Sequence, residues 1–308
     1  MLSETFRTSP VSSSGVDVSF EFFPPKTDRA AEALFQSADN LARFRPRFLS
    51  MTYGAGGTTR DRSIEAAATL VRRTDVPVAG HLTCVGASKQ DVDSVAKEYW
   101  NSGIRSIVAL RGDPAVPGTP FEAHPEGYRS AVELVTGLKA VAPFDISVAA
   151  YPEVHPEALS AQSDLDNLKA KIDAGADRAI TQFFFDPDAF LHFRDRAVAQ
   201  GITAEIVPGI LPVTGVAQAY KFATMCGAHV PERIRALFDG LDEQPETRGL
   251  VTTAFAAMMC RTLREHGVRA FHFYTLNRSA QSAALCRLLG CEQETMVSEQ
   301  SPETSLTQ

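Results

Sequence analysis

Three things are scarce in this sequence of 308 residues: long apolar runs, clustered positive charge, and cysteines at paired spacing. No stretch reaches the roughly 18 consecutive apolar residues that a membrane-spanning helix needs. The first seventeen residues are rich in Ser and Thr but hold no apolar run of the kind a secretory signal carries. The formal net charge is −7 with no strongly basic segment, so the footprint of a nucleic-acid binder is missing. The five cysteines, Cys84, Cys226, Cys260, Cys286 and Cys291, are odd in number and contain no C-x-x-C pair. They read as free thiols in a reducing compartment, because a chain of this length does not depend on disulfides. The expectation is a soluble, cytoplasmic protein with neither nucleic-acid nor membrane partners. Phosphate-binding loops are missing too. Gly54-Ala55-Gly56-Gly57-Thr58-Thr59 lacks the third glycine of a dinucleotide fingerprint, and no G-x-x-x-x-G-K-[ST] loop occurs. Any nucleotide must therefore be held without a Rossmann turn.

What is present is apolar mass, 44% of the residues, distributed in a regular way. Short β-branched or aromatic runs occur at Val18–Phe23, Phe48–Tyr53, Val78–Leu82, Ile104–Leu110, Ile146–Tyr151, Arg178–Phe184, Ala204–Pro208 and Ala270–Thr275. Several are continuously apolar, as parallel strands buried on both faces are. Helical spacing fills the intervals. Asp61 opens one helix, Ser88 opens another with Asp91 in capping-box position, and Gly103, Gly175 and Gly201 stand where helices should stop. Alternation of this kind builds parallel βαβ units, and eight of them point to a single-domain α/β fold, a (β/α)₈ TIM barrel. The predicted organisation is a disordered tail over residues 1–16, the barrel over 17–291 and a second disordered tail over 292–308.

In such barrels chemistry gathers at the C-terminal ends of the strands. The residues there are Glu21, Thr52, His81, Arg111 with Asp113, Tyr151, Gln182 and Tyr274; the remaining strand runs into Pro208-Gly209-Ile210-Leu211-Pro212. Glu21 lies in Phe20-Glu21-Phe22-Phe23-Pro24-Pro25, where aromatic neighbours strip hydration and favour the protonated form that a general acid requires. An ion-paired strand-end Glu is the plainer alternative. His81 has no second His or carboxylate at ligand spacing, which favours a hydrogen-bonding role over a metal site. Asp164, Asn167 and Lys171, spaced i, i+3 and i+7, share one helix face while Leu165, Leu168 and Ile172 take another. That polar stripe is either an ordinary solvated face or, because its helix follows the Tyr151 strand end, a grip for a cofactor's ribose and diphosphate.

Longer motifs carry a resemblance. They are Ser19-Phe20-Glu21-Phe22-Phe23-Pro24-Pro25, Thr52-Tyr53-Gly54-Ala55-Gly56-Gly57, His81-Leu82-Thr83-Cys84, Leu110-Arg111-Gly112-Asp113-Pro114 and Ala150-Tyr151-Pro152-Glu153-Val154-His155-Pro156. Thr181-Gln182-Phe183-Phe184-Phe185, Pro208-Gly209-Ile210-Leu211-Pro212 and Phe271-His272-Phe273-Tyr274-Thr275-Leu276-Asn277-Arg278 follow in order. From about Val18 to Leu289 the chain resembles the methylenetetrahydrofolate reductases of bacteria and the catalytic domain of their eukaryotic relatives.

The resemblance implies non-covalent FAD at the C-terminal rim and a ping-pong reaction. NADH or NADPH would reduce the flavin, and the flavin would then reduce methylenetetrahydrofolate to 5-methyltetrahydrofolate, as in methionine biosynthesis, or run in reverse in one-carbon catabolism. It places Glu21 as proton donor and Asp113 as a carboxylate beside the flavin and pterin. FAD contacts fall on Thr52, His81, Arg111, Gly112, Asp113, Tyr128, Ala149, Tyr151, His155, Ala158, Asp164, Asn167 and Lys171. Folate or nicotinamide contacts fall on Glu21, Asp113, Gln182, Gln218, Phe222 and Arg278, and no metal is implied. Ala170 departs from relatives that carry a basic residue there, which points to weaker FAD binding. Relatives form dimers or tetramers, so a homo-oligomer is expected, and inhibition through an S-adenosylmethionine-responsive domain is not expected. The rival reading is a flavin-free barrel methyltransferase that binds a pterin.

Overall fold

The apolar runs form nine short parallel strands: β1 (Asp17–Phe22), β2 (Phe48–Met51), β3 (Val78–Thr83), β4 (Ser106–Leu110), β5 (Asp145–Ala150), β6 (Arg178–Thr181), β7 (Glu205–Val207), β8 (Gly209–Ile210) and β9 (Ala270–Tyr274). The computed structural model describes residues 15–53, 60–114, 116, 119–212, 216–241 and 243–291, without the side chains of residues 216 and 218. The Gly-rich residues 54–59 and nearly all of the two predicted disordered tails lie outside the described residues.

The strands hydrogen-bond in the order β7-β6-β5-β4-β3-β2-β1-β9-β8. β7 and β8 are one strand broken at Pro208. Its first half pairs with β6 and its second half with β9, and this closes the sheet into the expected barrel. The sequence reading ended this strand at Pro208, whereas the chain resumes pairing beyond it. Proline has no N–H to donate to a ladder. The carbonyl of Pro208 still accepts the His272 amide at 3.0 Å, and the Gly209 amide turns to the Thr181 hydroxyl at 2.9 Å.

Helices cover the outside: α1 (Asp28–Ala42), α2 (Arg60–Arg73), α3 (Lys89–Asn101), α4 (Ala131–Val141), α5 (Ala161–Asp173), α6 (Pro187–Ala199), α7 (Val216–Cys226), α8 (Glu232–Phe238), α9 (Pro245–Glu265) and α10 (Ala280–Leu288). Their ends follow the local chemistry. Ser88 caps α3 by accepting the Asp91 amide, although the Asp91 carboxylate takes the Ser88 hydroxyl at 2.6 Å rather than the Ser88 amide of a full capping box. The reciprocal box occurs on α5, between Ser160 and Ser163. The helix-stopping glycines Gly103, Gly175 and Gly201 all adopt left-handed φ, at 88°, 114° and 82°. Among the described residues no helix is long and apolar enough to cross a membrane.

Side-chain alternation along each strand divides the core in two. Val18, Phe20 and Phe22 of β1 and Phe271 and Phe273 of β9 face outward into a cluster with Leu34, Leu41, Leu263 and Leu285 of the helices. The inward residues make a separate, smaller apolar layer of Phe48, Ala79, Val108 and Ile180. Below it, Arg178 pairs with Asp145 at 2.7 Å and donates to Ser147 at 3.0 Å. Above it, Ser19, Glu21, His81 and His272 are buried polar groups. The barrel interior therefore supports a polar floor for whatever occupies its mouth.

The seam at Gly209 tolerates no side chain. A Cβ there would collide with the Thr181 carbonyl oxygen and stand 2.6 Å from the Tyr274 ring. Gly209→Ala is expected to destabilise the protein by about 2–3 kcal/mol, the scale of overpacking against unyielding neighbours. Urea denaturation checks this, and an unchanged midpoint would show that the seam is looser than described.

Candidate active site

A cavity of about 710 Å³ opens at the C-terminal ends of the strands, within the range of small-ligand and cofactor sites. Each strand contributes at or just beyond its end: Glu21 from β1, Thr52 after β2, His81 and Thr83 from β3, Arg111, Gly112 and Asp113 after β4. Ala149 and Tyr151 come from β5 and its end, Gln182 follows β6, Leu211 follows β8, and Tyr274 ends β9. Glu21, Asp113 and Gln182 thus face one space.

Glu21 is 9% exposed, and its Oε2 lies 3.5 Å from the Nε2 of both His81 and His272. The other nitrogen of His272 is 2.7 Å from the Ser19 hydroxyl. The parallel register that pairs Ser19 with His272 and Glu21 with Tyr274 brings these groups together across 253 residues of sequence. Burial, reinforced by the neighbouring imidazole of His272, pushes the His81 pKa down against the opposing pull of Glu21, so His81 is neutral at pH 7. At 3.5 Å from Glu21, His81 Nε2 is close enough to feel the carboxylate but makes no hydrogen bond with it. This orphaned polar atom on the cavity wall is ready for a ligand. Among the described residues no group of three His, Cys, Asp or Glu is placed to hold a metal ion.

The stripe on α5 faces the cavity and runs from an exposed Asn167 through a half-buried Asp164 to a buried Lys171. Asp164, Asn167 and Lys171 all line the cavity. Lys171 is 5% exposed and donates to the Ala149 carbonyl at 2.6 Å. Desolvation lowers its pKa to about 8, with Asp164 pulling the other way. The Asp164 carboxylate also accepts the His155 amide at 3.0 Å, which ties α5 to the loop after β5. That loop holds Val154 at φ 73°, a left-handed conformation costly for a β-branched residue. It is held by Tyr151 and His155, whose rings meet edge-on at 4.6 Å, and by the Glu157 amide donating to His155 Nδ1. Ala158, on the same loop, reaches the lining. Opposite, Arg111 pairs with Glu157 at 2.7 Å and covers the Phe121 ring. Arg129 and Ser130 bring the N-terminus of α4 to the wall, a further locus of positive potential. Three cations (Lys171, Arg111 and Arg129), a helix N-terminus, an orphaned imidazole nitrogen and aromatic walls fit an elongated anionic cofactor with planar rings.

Two of the residues singled out from the sequence, Tyr128 and Arg278, stand apart from this lining. The Tyr128 hydroxyl donates to Asp93 at 2.7 Å and its ring lies under Lys89, bracing α4 against α3. Arg278 is exposed beyond the turn that follows β9 and does not line the cavity. The side chain of Gln218, on α7, lies outside the described residues, while Phe222 of the same helix lines the cavity. Conversely, the sequence reading assigned no role to His272 or Ser19, although period-two alternation through Ser19-Phe20-Glu21 and His272-Phe273-Tyr274 marks them as inward-facing. Arg129, Phe121 and Cys226 reach the wall from loops and helix ends, where no periodic signal exists.

Native Lys171 releases its proton near pH 8, whereas in the unfolded chain it holds it to about 10.5. Between those values the unfolded state binds more protons, so this group makes stability rise with pH. Lys171→Met should remove that rise. Urea denaturation of cofactor-free protein from pH 8 to 10.5 should show the wild type gaining on the variant, and parallel curves would place Lys171 in a wetter environment.

The sequence profile of the methylenetetrahydrofolate reductase family matches residues 8–290. The chain is 54% identical to a 5,10-methylenetetrahydrofolate reductase of Pectobacterium carotovorum subsp. carotovorum, covering 89% of this chain and 90% of that one. It is 53% identical to the enzyme of that name from Escherichia coli (strain K12), covering 89% and 91%. A solved Clostridium thermocellum protein, described as uncharacterized and binding two copies of 5-methyl-5,6,7,8-tetrahydrofolic acid, shares the fold. Its TM-score is 0.59 at 16% identity over 89% of this chain and 93% of that one. With a profile spanning nearly the whole barrel and curated relatives above 50% identity, this chain belongs to the methylenetetrahydrofolate reductase family.

Proposed function

We propose that this chain reduces methylenetetrahydrofolate to 5-methyltetrahydrofolate with non-covalently bound FAD and NADH or NADPH, in a ping-pong cycle at a single site. The observation that carries the reading is the position of Glu21. It is a nearly buried carboxyl group between two imidazoles, facing the same cavity as Asp113, Gln182 and the α5 stripe. When bound, the flavin supplies the redox chemistry by taking up hydride from the nicotinamide and passing it to the folate.

The side chains divide the remaining work. Glu21 holds a proton on its carboxyl group and gives it to the ring nitrogen of the folate, which must become a leaving group as the five-membered ring opens. A positioned acid contributes roughly 100- to 10,000-fold to such a step. His81, whose pKa burial lowers, stands 3.5 Å from that carboxyl group. Lys171 and Arg111 hold the diphosphate, with Asp164 and Asn167 on the ribose and Thr52, Gly112, Ala149, Tyr151, His155 and Ala158 along the cofactor's length. Gln182 and Phe222, which line the cavity, would orient the pterin or the nicotinamide; for Gln218 and Arg278 that role rests on the family resemblance alone. Phe183 and Leu211 line the wall as apolar groups and limit water. A pterin-binding methyltransferase has no use for the Asp164–Asn167–Lys171 stripe.

Asp113 is exposed at the mouth; burial raises the pKa of Tyr151 and of Cys226, and the Asp113 charge adds to both shifts. A negative charge there opposes further negative charge on a neighbouring ring system. Asp113→Asn should therefore raise the midpoint potential of bound flavin, measured by anaerobic dye titration; an unmoved potential would separate Asp113 from the ring. Glu21→Gln should slow the folate half-reaction at least about 100-fold while leaving flavin reduction by the nicotinamide intact. Stopped-flow of each half-reaction decides this, and equal loss in both would refute the proton-donor role. Purified protein that is colourless and takes up no FAD would end the flavin reading.

A further inference from the structure

The last backbone pair between β1 and β9 joins Glu21 to Tyr274, yet the contact continues past it through side chains. The Thr275 hydroxyl donates to the Glu21 carbonyl at 2.6 Å, beside the Thr275 amide at 3.2 Å. The same hydroxyl accepts the Asn277 amide at 3.1 Å. The Asn277 side chain then takes the place of a strand. Its Oδ1 accepts the Phe23 amide at 2.8 Å, and its Nδ2 donates to the Phe23 carbonyl at 2.9 Å. Both polar groups of Phe23 are thus satisfied by one amide, as a neighbouring strand would satisfy them.

This arrangement requires an unfavourable backbone. Leu276 and Asn277 lie consecutively in the left-handed region, at φ 50° and 60°. Such residues cost about 1–3 kcal/mol each and persist where surrounding structure over-determines them. Asn is the side chain best suited to the conformation apart from glycine, and the Ser37 hydroxyl adds a hydrogen bond to the Asn277 carbonyl at 3.0 Å. Glycine would relieve the strain but has no amide to reach Phe23. The retained Asn therefore makes a contact that glycine cannot, and the contact falls on the residues flanking Glu21.

We infer that Asn277 is a positioning residue for the Glu21 proton donor, its amide clamping Phe23 and, through Thr275, fixing the main chain of Glu21 beneath the folate. The inference rests on the role proposed above for Glu21. Asn277 itself does not line the cavity; it acts through Glu21 and through the Phe23 and Leu276 side chains, which do.

Asn277→Gly tests this because strain and positioning then move in opposite directions. The melting temperature should hold or rise, while hydrogen exchange at the Phe23 amide quickens. The folate half-reaction should slow on the order of 10- to 100-fold, the scale of a misplaced catalytic group, with flavin reduction by the nicotinamide unchanged. Asn277→Asp keeps the acceptor for the Phe23 amide and should recover part of that rate. Thr275→Val, which removes only the hydroxyl bridge, should reproduce the selective loss and serves as the second variant if Asn277→Gly fails to fold. If Glu21→Gln is selective for the folate half-reaction but Asn277→Gly slows both halves equally, or neither, the positioning role is overturned while the acid assignment stands. If Glu21→Gln is itself unselective, both fall.

Discussion

A carboxyl group enclosed by a parallel barrel must be answered by other polar groups, and that constraint organises the mouth of this molecule. Glu21 faces inward because Phe20 and Phe22 on either side face the helices. Once inside, it is cut off from bulk water, and an uncompensated charge there would be costly. The partners come from both neighbouring directions: His272 on β9, anchored by Ser19, and His81 on β3. Burial lowers the pKa of His81, and both imidazole nitrogens stand 3.5 Å from the carboxylate oxygen, so the group is surrounded without a short ion pair. The contrast is with Asp145 at the other end of the barrel, which Arg178 grips at 2.7 Å.

The wall built by α5 obeys a different economy. Lys171 is drawn into a dry position and satisfied by a single carbonyl, with only Asp164 nearby to favour its charge. An ammonium so placed is under-compensated, and an anion arriving beside it would restore what burial removed. Arg111 is different. It already has Glu157 as a partner and Phe121 as a platform, so it is half-committed before any ligand arrives. Ala170, beside Lys171 on α5, adds no charge, which leaves Lys171 and Arg111 as the principal cations on their side of the cavity.

Much of the fold could be read from the sequence because its signals are local. The apolar runs located every strand except β8 to within three residues, and Gly103, Gly175 and Gly201 marked helix ends correctly because left-handed φ is a property of one residue. The break at Pro208 was harder. Proline reads as a terminus, and only the closure of the sheet, which supplies β9 as a second partner, reveals that pairing resumes. The site shows the same division. Period-two alternation tells which face Glu21 and His272 occupy, but not that they meet, since their proximity depends on register between segments at opposite ends of the chain. Helical spacing put Asp164, Asn167 and Lys171 on one face and could not say whether that face was wet. Burial is a property of what packs opposite, and no window of sequence contains it.

The interrupted seventh strand has an architectural corollary. Elsewhere in the barrel a strand is stitched along its length to two neighbours, but here the stitching is shared out, one half to each side. The short β8 is tied to β9 alone, and from it departs the longest excursion of the chain, three helices where other strands have one. Extra polypeptide has been accommodated where the ladder was already relieved of continuity. The cavity wall carried by α7, with Phe222, therefore follows a two-residue strand and not a full-length stave, and it is seated on the barrel by the packing of Ala219 and Ala223 with Phe183 and Phe185.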